Sequence, residues 1–448
     1  MTEADTPKRA RASCVVRLER VQAPYAWVLL GIAVLYLTSM RSIWGAAIAL
    51  ACVLAPAFGP RPRARGAPAL SRQTCWVAVS FMALGALAQL RPLTPLAWDE
   101  FVWVSKAQIE ARGGFGALTA AALEPGHEVF PAGYPLLWSL LPGWLSPSPQ
   151  LLPLTLAFGV GKWLCFGAFG LTLAASGLWQ PHPRRRWTAL ACGALGLAFA
   201  APLFLVHARL VYADAPVGLL AAALALSLLA REQEGSRIPF FVPAALAIVL
   251  CGFKDEGTGH VVAVTCAAWM FGPRGLRGPA LSALGASLAT FATWRVALAQ
   301  RGLSNADHSL GYFTPSAAFP LARTFIAEAL DPLSWGLLWP LTAAAAALLL
   351  VVPHFGSPDP ANLQRRQARF LAAAWCLQVG VLLGALLVGP ERVRLFAWNG
   401  TLLNRLLVQV TPTAALVLVS FVNLYRLQHE AAGQNASPSS PSSSPTSR

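Results

Sequence analysis

The chain has 448 residues, 56% of them hydrophobic and only 12% charged, with a mean hydropathy of +0.55 and a formal charge of +15. These values exclude a soluble globular protein and leave a polytopic membrane protein as the class that fits. The positive charge does not argue for nucleic acid, because the Arg residues cluster in short stretches between apolar runs, where they act as topology signals.

The first 24 residues are polar and basic, too long and too charged to open a cleavable signal. Residues 1–24 therefore read as a cytoplasmic basic N-terminus, and the first apolar run as a span. Runs long enough to cross a bilayer, or nearly so, fall at about Tyr25 to Met40, Ser42 to Phe58, Thr74 to Leu90, Leu151 to Leu178, Trp187 to Val206 and Ala213 to Ala230. They continue at Pro239 to Gly252, Thr258 to Phe271, Pro279 to Leu298, Trp335 to Val352, Phe370 to Val388 and Arg405 to Tyr425. The expected fold is an all-α bundle over residues 25–426 with about 12 spans, several shorter than the roughly 20 residues a crossing ideally needs. The eight Cys residues lie almost all inside apolar runs and form no C-x-x-C pair. No disulfide framework and no zinc site is expected from them.

Lys8 to Arg20, Arg61 to Arg65, Arg184 to Arg186, Arg231, Arg237, Arg274, Arg277 and Arg365 to Arg369 alternate with the spans so as to share one side. The positive-inside rule makes that side cytoplasmic and puts both termini there. The alternation holds only if Tyr134 to Leu145 does not cross, so that segment reads as an amphipathic helix on the outer surface. The outer side then carries a first periplasmic loop over 91–150 with juxtamembrane helices, a second over 299–334, and a short basic stretch from Gly389 to Asn404. Residues 427–448 end in a Ser/Pro-rich stretch and read as a disordered cytoplasmic tail.

Five acidic residues, Asp99, Glu100, Asp214, Asp255 and Glu256, fall where apolar runs emerge on that outer face. A carboxylate at such depth costs about 2.5 to 3.5 kcal/mol on insertion scales, so it needs an aqueous cavity, a partner or a function. In the first loop Asp99, Trp103 and Lys106 stand at i, i+4 and i+7 on a short helix and can face one way. That pattern suits a carboxylate base beside a phosphate-holding cation, and equally an interfacial helix anchored by Trp and capped by Asp. The stretch Phe130-Pro131-Ala132-Gly133-Tyr134-Pro135 reads as a helix start. Asp214, in Tyr212-Ala213-Asp214-Ala215-Pro216, fits the cap of the helix that follows, alongside any role in a site. Lys254-Asp255-Glu256 separates two short apolar runs, as a hinge opening into a polar cavity would. Lys254 suits a phosphate, or an ion pair with Asp214 or Glu256. Arg392, Arg394 and Arg405 sit on the outer side against the charge trend, which invites either an anionic ligand or an ion pair.

Taken together, Trp98-Asp99, Trp103, Lys106-Ala107 and Tyr134-Pro135-Leu136-Leu137 resemble the first outer loop of bacterial GT-C class membrane glycosyltransferases. That class holds protein O-mannosyltransferases and aminoarabinose lipid A transferases. Tyr212-Ala213-Asp214-x-Pro216, Lys254-x-Glu256-Gly257 and the stretch Leu402 to Leu407 with Pro412 after it follow in matching order. The resemblance covers about residues 75 to 425. It departs where Phe130-Pro131-Ala132-Gly133 replaces a usual His-Pro, and where no large soluble domain follows.

The resemblance implies sugar transfer from a polyprenyl-phosphate donor to a glycan, lipid or protein acceptor, at the outer face of a bacterial inner membrane. Asp99 would be the catalytic base, with Glu100 assisting or orienting. Lys106, Lys254 and Arg405 would hold the phosphate, Tyr134 would belong to the substrate site, and Asp214 and Glu256 would tune the cations or touch sugar hydroxyls. A divalent metal is a lesser option and no residue is assigned to one. Membrane lipids are expected neighbours and nucleic acid is not. A transporter or flippase for lipid-linked sugars, or a non-catalytic scaffold of an envelope-building complex, are the alternatives.

Overall fold

A computed structural model describes residues 24–40, 72–87, 98–124, 134–179, 185–232, 238–303, 315–352, 361–398 and 401–435. Among them every regular element is a helix. The expected second span, Ser42 to Phe58, and the arginines at 61, 63 and 65 lie outside the described residues.

The chain begins with α1 (Pro24–Ser39) and α2 (Arg72–Leu87). It continues with α3 (Trp98–Gly113), α4 (Ala117–Ala122) and α5 (Leu137–Leu145). Then come α6 (Leu151–Ala175), α7 (Arg185–Phe199), α8 (Pro202–Arg209) and α9 (Asp214–Glu232). α10 (Val242–Phe253), α11 (Glu256–Met270) and α12 (Arg277–Ala299) follow, the last opened by a 3-10 turn at Arg274–Leu276. The remaining helices are α13 (Ala318–Ala329), α14 (Pro332–Trp335), α15 (Leu338–Val351), α16 (Ala361–Val388), α17 (Glu391–Trp398) and α18 (Thr401–Asn435).

Among the described residues five stretches are long and apolar enough to cross a bilayer: Leu151–Ala175, Asp214–Glu232, Arg274–Ala299, Leu363–Val388 and Leu402–Glu430. α7 and α8 make a sixth if counted as one span, bent by 61° at the break before Pro202. α1, α10 and α15 are apolar but shorter, as is Trp76–Leu87 within α2. This is the helix content of a membrane protein, and the outer surface agrees. Leu152, Leu156, Val160 and Trp163 stand exposed along one stripe of α6, an apolar band of a kind soluble monomers rarely leave in water.

The bundle is built around α9. Its residues Asp214 to Ala230 are all buried, as expected of a helix that is apolar all round. α6, α10 and α18 pack against it. At its crossing with α18 the backbones come close, and a Cβ on Gly218 would sit 2.6 Å from the backbone oxygen of Gln409. Small residues at such a crossing let two backbones meet, which is how helices associate where no hydrophobic effect separates protein from lipid. Gly218 lies one turn beyond Asp214, so this contact also sets the distance from Asp214 to α18.

α3, α4 and α5 form a compact unit beside α6. Glu110 on α3 is buried and accepts from the N–H groups of Gly116 and Leu118 at 2.7 and 2.8 Å and from Trp144 Nε1 at 2.7 Å. One carboxylate thus satisfies the start of α4 and ties α5 to α3.

Two expectations change here. α5 is too short to cross, as expected, but it is no surface helix, because Leu137 to Gly143 are all buried against α3 and α6. Its second face, read as polar, is closed over by α3, to which the Ser139 hydroxyl donates at the Trp103 carbonyl, 3.1 Å away. The stretch after Leu427, expected to be disordered, continues α18 to Asn435, and residues 436–448 lie outside the described residues. A helix also stands in the stretch 299–334, read from sequence as a second outer loop with no helix assigned: α13, with Phe319 and Ile326 exposed.

Replacing Gly218 by Val is expected to force α9 and α18 apart. Thermal unfolding in detergent should show a loss of about 1–3 kcal/mol, the usual cost of overpacking, whereas Gly193→Ala, with open space around its Cβ position, should leave the midpoint unchanged.

Candidate functional site

Asp214 opens α9, but its carboxylate does not cap that helix. The first helical bond is made by the backbone alone, from Val217 N–H to the Ala213 carbonyl at 2.8 Å. The side chain, fully buried, is turned instead toward three others. Oδ1 accepts from Lys254 Nζ and Gln409 Nε2, both at 2.8 Å, and Oδ2 accepts from Arg405 Nε at 3.0 Å. His207 Nδ1 stands 3.9 Å from Oδ2. Groups up to 195 residues apart in sequence thereby meet on one carboxylate.

Each partner has a local reason for its position. Lys254 sits in extended backbone between α10 and α11 (φ −156°, ψ 153°), so its side chain leaves the helical path and enters the bundle. The hinge closes tightly, because Gly257 N–H donates to the Lys254 carbonyl at 3.0 Å and a Cβ on Gly257 would lie 2.1 Å from the Leu250 oxygen. Only glycine fits there. Lys254 Nζ also reaches Glu256 Oε1 at 3.3 Å. Next to it Asp255 pairs with Arg295 of α12 at 2.7 Å. Arg405 and Gln409 are one turn apart on α18 and so share a face.

Arg405 is the more open of the two cations on Asp214, with 23% of its side chain exposed against 3% for Lys254. Its guanidinium lies over the Tyr212 ring, 4.7 Å from the centroid, a stacked arrangement that suits arginine and not lysine. Gln409 extends the network to His260, whose Nε2 is 3.1 Å from the amide oxygen. A carboxylate only accepts, so the amide nitrogen must face Asp214 and the amide oxygen His260; His260 Nε2 then carries the hydrogen.

A second group of buried side chains holds the loop that leads into Asp214. Glu100 Oε1 accepts from Val211 N–H at 2.7 Å, and Trp138 Nε1 donates to the Val211 carbonyl at 2.7 Å. Lys162 Nζ donates to the Leu210 carbonyl. Three helices, α3, α5 and α6, therefore fix the backbone of residues 210–211 through one polar group each. Glu100, read as a direct assistant to the base, is fully buried and engaged with backbone. It acts as a positioning residue.

One and two turns further along α3, Trp103 and Lys106 are both buried. Lys106 Nζ stands 5.2 Å from the centre of the Trp103 ring, and Tyr134 meets the same ring edge to face at 6.4 Å. Burial pushes the Lys106 ammonium down to about 7. The side chains of Trp98 and Asp99 lie outside the described residues, as do Phe130 to Gly133 and the Arg392 side chain. Asp99 occupies the first turn of α3, beside Glu100 in sequence.

Of the residues singled out from sequence, Asp214, Lys254, Glu256 and Arg405 come together, Glu100 joins them through Val211, and Lys106 and Tyr134 share the Trp103 ring. Arg394 does not join them; it donates to the Gly389 carbonyl at 2.7 Å. Sequence reading missed His207, Gln409, Trp138 and Lys162. Lys162 carried a usable signal, as a charge near the middle of an apolar run. Gln409 carried a weaker one, as a polar residue a turn beyond Arg405 in another such run.

No group of three or more metal-type ligands forms among the described residues. The charges at the Asp214 cluster balance, two acids (Asp214, Glu256) against two cations (Lys254, Arg405). Comparison with family models, with characterised proteins and with solved structures finds no match to this chain.

Removing the central charge takes from Arg405 and Lys254 the carboxylate they share and leaves Lys254 only Glu256 at 3.3 Å, and breaking a buried pair in this way costs about 3–5 kcal/mol. Asp214→Asn should therefore lower the unfolding midpoint sharply in detergent, and adding Lys254→Met should recover part of the loss. Lys106 makes a separate, pH-dependent contribution. With its folded pKa near 7 against an ordinary 10.5, the unfolded chain holds more protons between those values. Stability from this residue is thus complete above about pH 10.5 and is lost as pH falls toward 7. The stability of wild type relative to Lys106→Met should rise from pH 7 to pH 9; a flat difference would contradict the shift.

Proposed function

We propose that this chain is a membrane glycosyltransferase of the GT-C kind, moving a sugar from a polyprenyl-phosphate donor to an acceptor hydroxyl. The observation that carries the reading is the meeting of Asp214, Lys254 and Arg405 on one carboxylate, because these are three of the elements through which the sequence resembles that class. A second support is the clamp from Glu100 to Val211, which brings the first turn of α3, where Asp99 stands, to the loop ahead of Asp214. In this reading the arrangement has about 12 spans in a bacterial inner membrane, both termini are cytoplasmic, and the site faces the periplasm.

The reaction needs few parts. Asp99 takes the proton of the acceptor hydroxyl, whose oxygen forms a bond to the anomeric carbon as the carbon–oxygen bond to phosphate breaks, with inversion. The electron pair leaves on the polyprenyl phosphate, where a cation stabilises the developing charge. Arg405, the more open cation, meets that phosphate, and Lys254, held by Asp214 and Glu256, stands behind it. Lys106 and Tyr134, packed on the buried Trp103 ring, support the site from within the protein. Asp214 positions both cations without touching the reacting atoms.

A flippase for lipid-linked sugars also draws on one specific feature, since the broken pair α7 with α8 ends in the helix that carries His207, beside Asp214, and discontinuous helices mark transporter sites. Transfer of radiolabelled sugar from polyprenyl-phosphate donors, measured in membranes carrying wild type or Asp99→Asn at equal expression, separates the two. The expected result is a loss of about 10²-fold or more for Asp99→Asn, the lower end of what a positioned base contributes. Undiminished transfer by the variant would remove Asp99 from its role, and no transfer by wild type, with movement of the labelled lipid between leaflets, would favour the flippase.

A further inference from the structure

The polarity of α13 is inverted. Phe319 (78% exposed), Ile326 and Leu330, the residue that ends the helix, turn away from the protein. Their spacing of seven and then four residues puts them on one side. The other side carries the buried Leu321 and Ala329 together with the half-buried Thr324 and Glu328. A helix lying in water has the reverse order, apolar inward and polar outward. α13 therefore offers its surroundings a face that water does not favour.

The same face runs on along the chain. Leu333 in α14 is 83% exposed, Leu337 follows, and Leu341 continues the stripe on α15. α15 has 14 residues, about 21 Å of helix against a hydrocarbon core of about 30 Å. Its far end is fixed where Arg369 donates to the Leu349 and Leu350 carbonyls at 3.0 and 3.4 Å, and Arg365 and Arg366 beside it in sequence mark a membrane boundary. That leaves about 9 Å of core to be covered at the near end. The chain turns there at Gly336 (φ +58°) and brings Leu337 and Leu333 into that layer. One step farther out, Asp331 accepts from the Leu333 N–H at 3.1 Å and from the Ser334 hydroxyl, and Arg323 is exposed on α13. Charged groups keep to headgroup level, so these two set the depth of α13 at the boundary between headgroups and acyl chains.

The packing says which leaflet this is. α13 lies against α17 and α18, and α14 against α8. α18 carries Arg405 and α8 carries His207, so the leaflet is the one nearest the Asp214 cluster. α17 has the same habit, with Leu395 and Phe396 exposed.

We propose that α13 and α14 form an in-plane anchor in that leaflet, with Phe319, Ile326 and Leu333 seated among acyl chains. The partner is a lipid surface, and the placement is independent of the transfer reading. Lipid needs no shape match along a stripe that bends at Gly336 and runs on into an apolar helix, whereas a protein partner would.

The test uses the full chain in phosphatidylcholine vesicles, with a coumarin-bearing amino acid placed at Phe319, Ile326 or Leu333, and at the exposed Leu156 of the long span α6 as reference. Phosphatidylcholine brominated on the upper part of its acyl chains and aqueous iodide are the two quenchers. An interfacial helix sinks its apolar face about 5–10 Å into the boundary region, so quenching by the brominated lipid within about twofold of that at Leu156, with little from iodide, is expected at all three positions. Each position is exposed, so two remain to carry the test if one variant does not fold. Iodide quenching without quenching by the brominated lipid puts the face in water and overturns the proposal. Protection from both quenchers at Phe319 and Ile326 shows a second copy or another protein covering the face, and overturns it as well.

Discussion

The carboxylate of Asp214 is the point on which the geometry of this molecule turns. A buried, ionised carboxylate is tolerated only where cations and hydrogen-bond donors replace the water it has lost. Here those donors come from the α10–α11 break and from two successive turns of α18. The demand for satisfaction therefore fixes the relative placement of three separate parts of the chain. Gly218 makes that placement possible, since only a residue without a side chain lets α9 come close enough to α18 for the arginine and glutamine to reach. Packing and electrostatics are one constraint at this crossing.

The same logic explains why the loop ahead of α9 is held so firmly. A helix start that must aim a charged side chain inward cannot drift, because a small rotation about the axis would carry the carboxylate away from both cations. The Leu210 N–H ends α8 on the Val206 carbonyl at 3.1 Å, and the polar groups of Glu100, Trp138 and Lys162 restrain the Leu210 carbonyl and both backbone groups of Val211 from α3, α5 and α6. Glu110 does the equivalent work one layer out, tying α4 and α5 to α3.

Much of the helix layout was legible in the sequence, because a span is announced by its length and apolarity. Eleven of the twelve expected runs fall on described helices, five of them long and apolar enough to cross a bilayer, and Ser42 to Phe58 falls outside the described residues. The exposure of α5 was not legible. A short apolar helix with one Ser and one Gly reads alike whether it lies on a membrane or beneath a neighbour, and only its contact with α3 decides. At the site, the scarce charged residues were easy to single out, since each charge in an apolar stretch needs a reason. The ion pair of Lys254 with Asp214 or Glu256 was legible as one reading of those charges, and both contacts form. That Arg405 and Gln409 meet the same carboxylate was hidden, because they lie 191 and 195 residues from Asp214. Gln409 and Trp138 were hidden for another reason: an uncharged polar side chain in an apolar run becomes informative only once its partner is known.

The two ends of the bundle obey one rule with opposite outcomes. At the Asp214 end, donors and acceptors from different helices are matched inside the protein, acid against cation, and the side chains are held in fixed orientation before any ligand arrives. Such a cluster can orient a cation toward a ligand with little reorganisation, which is the condition under which charge stabilisation is most effective. At the Arg426 end the Trp179 and Trp187 indole N–H groups and the Arg426 Nε–H stay buried without a match among the described residues, and the Glu430 Oε1 acceptor is buried one turn along α18. Burial of that kind is costly unless something from outside completes it. The two ends thus differ in whether buried polar groups find their partners on neighbouring helices, and only at the Asp214 end do those partners fix how the helices cross.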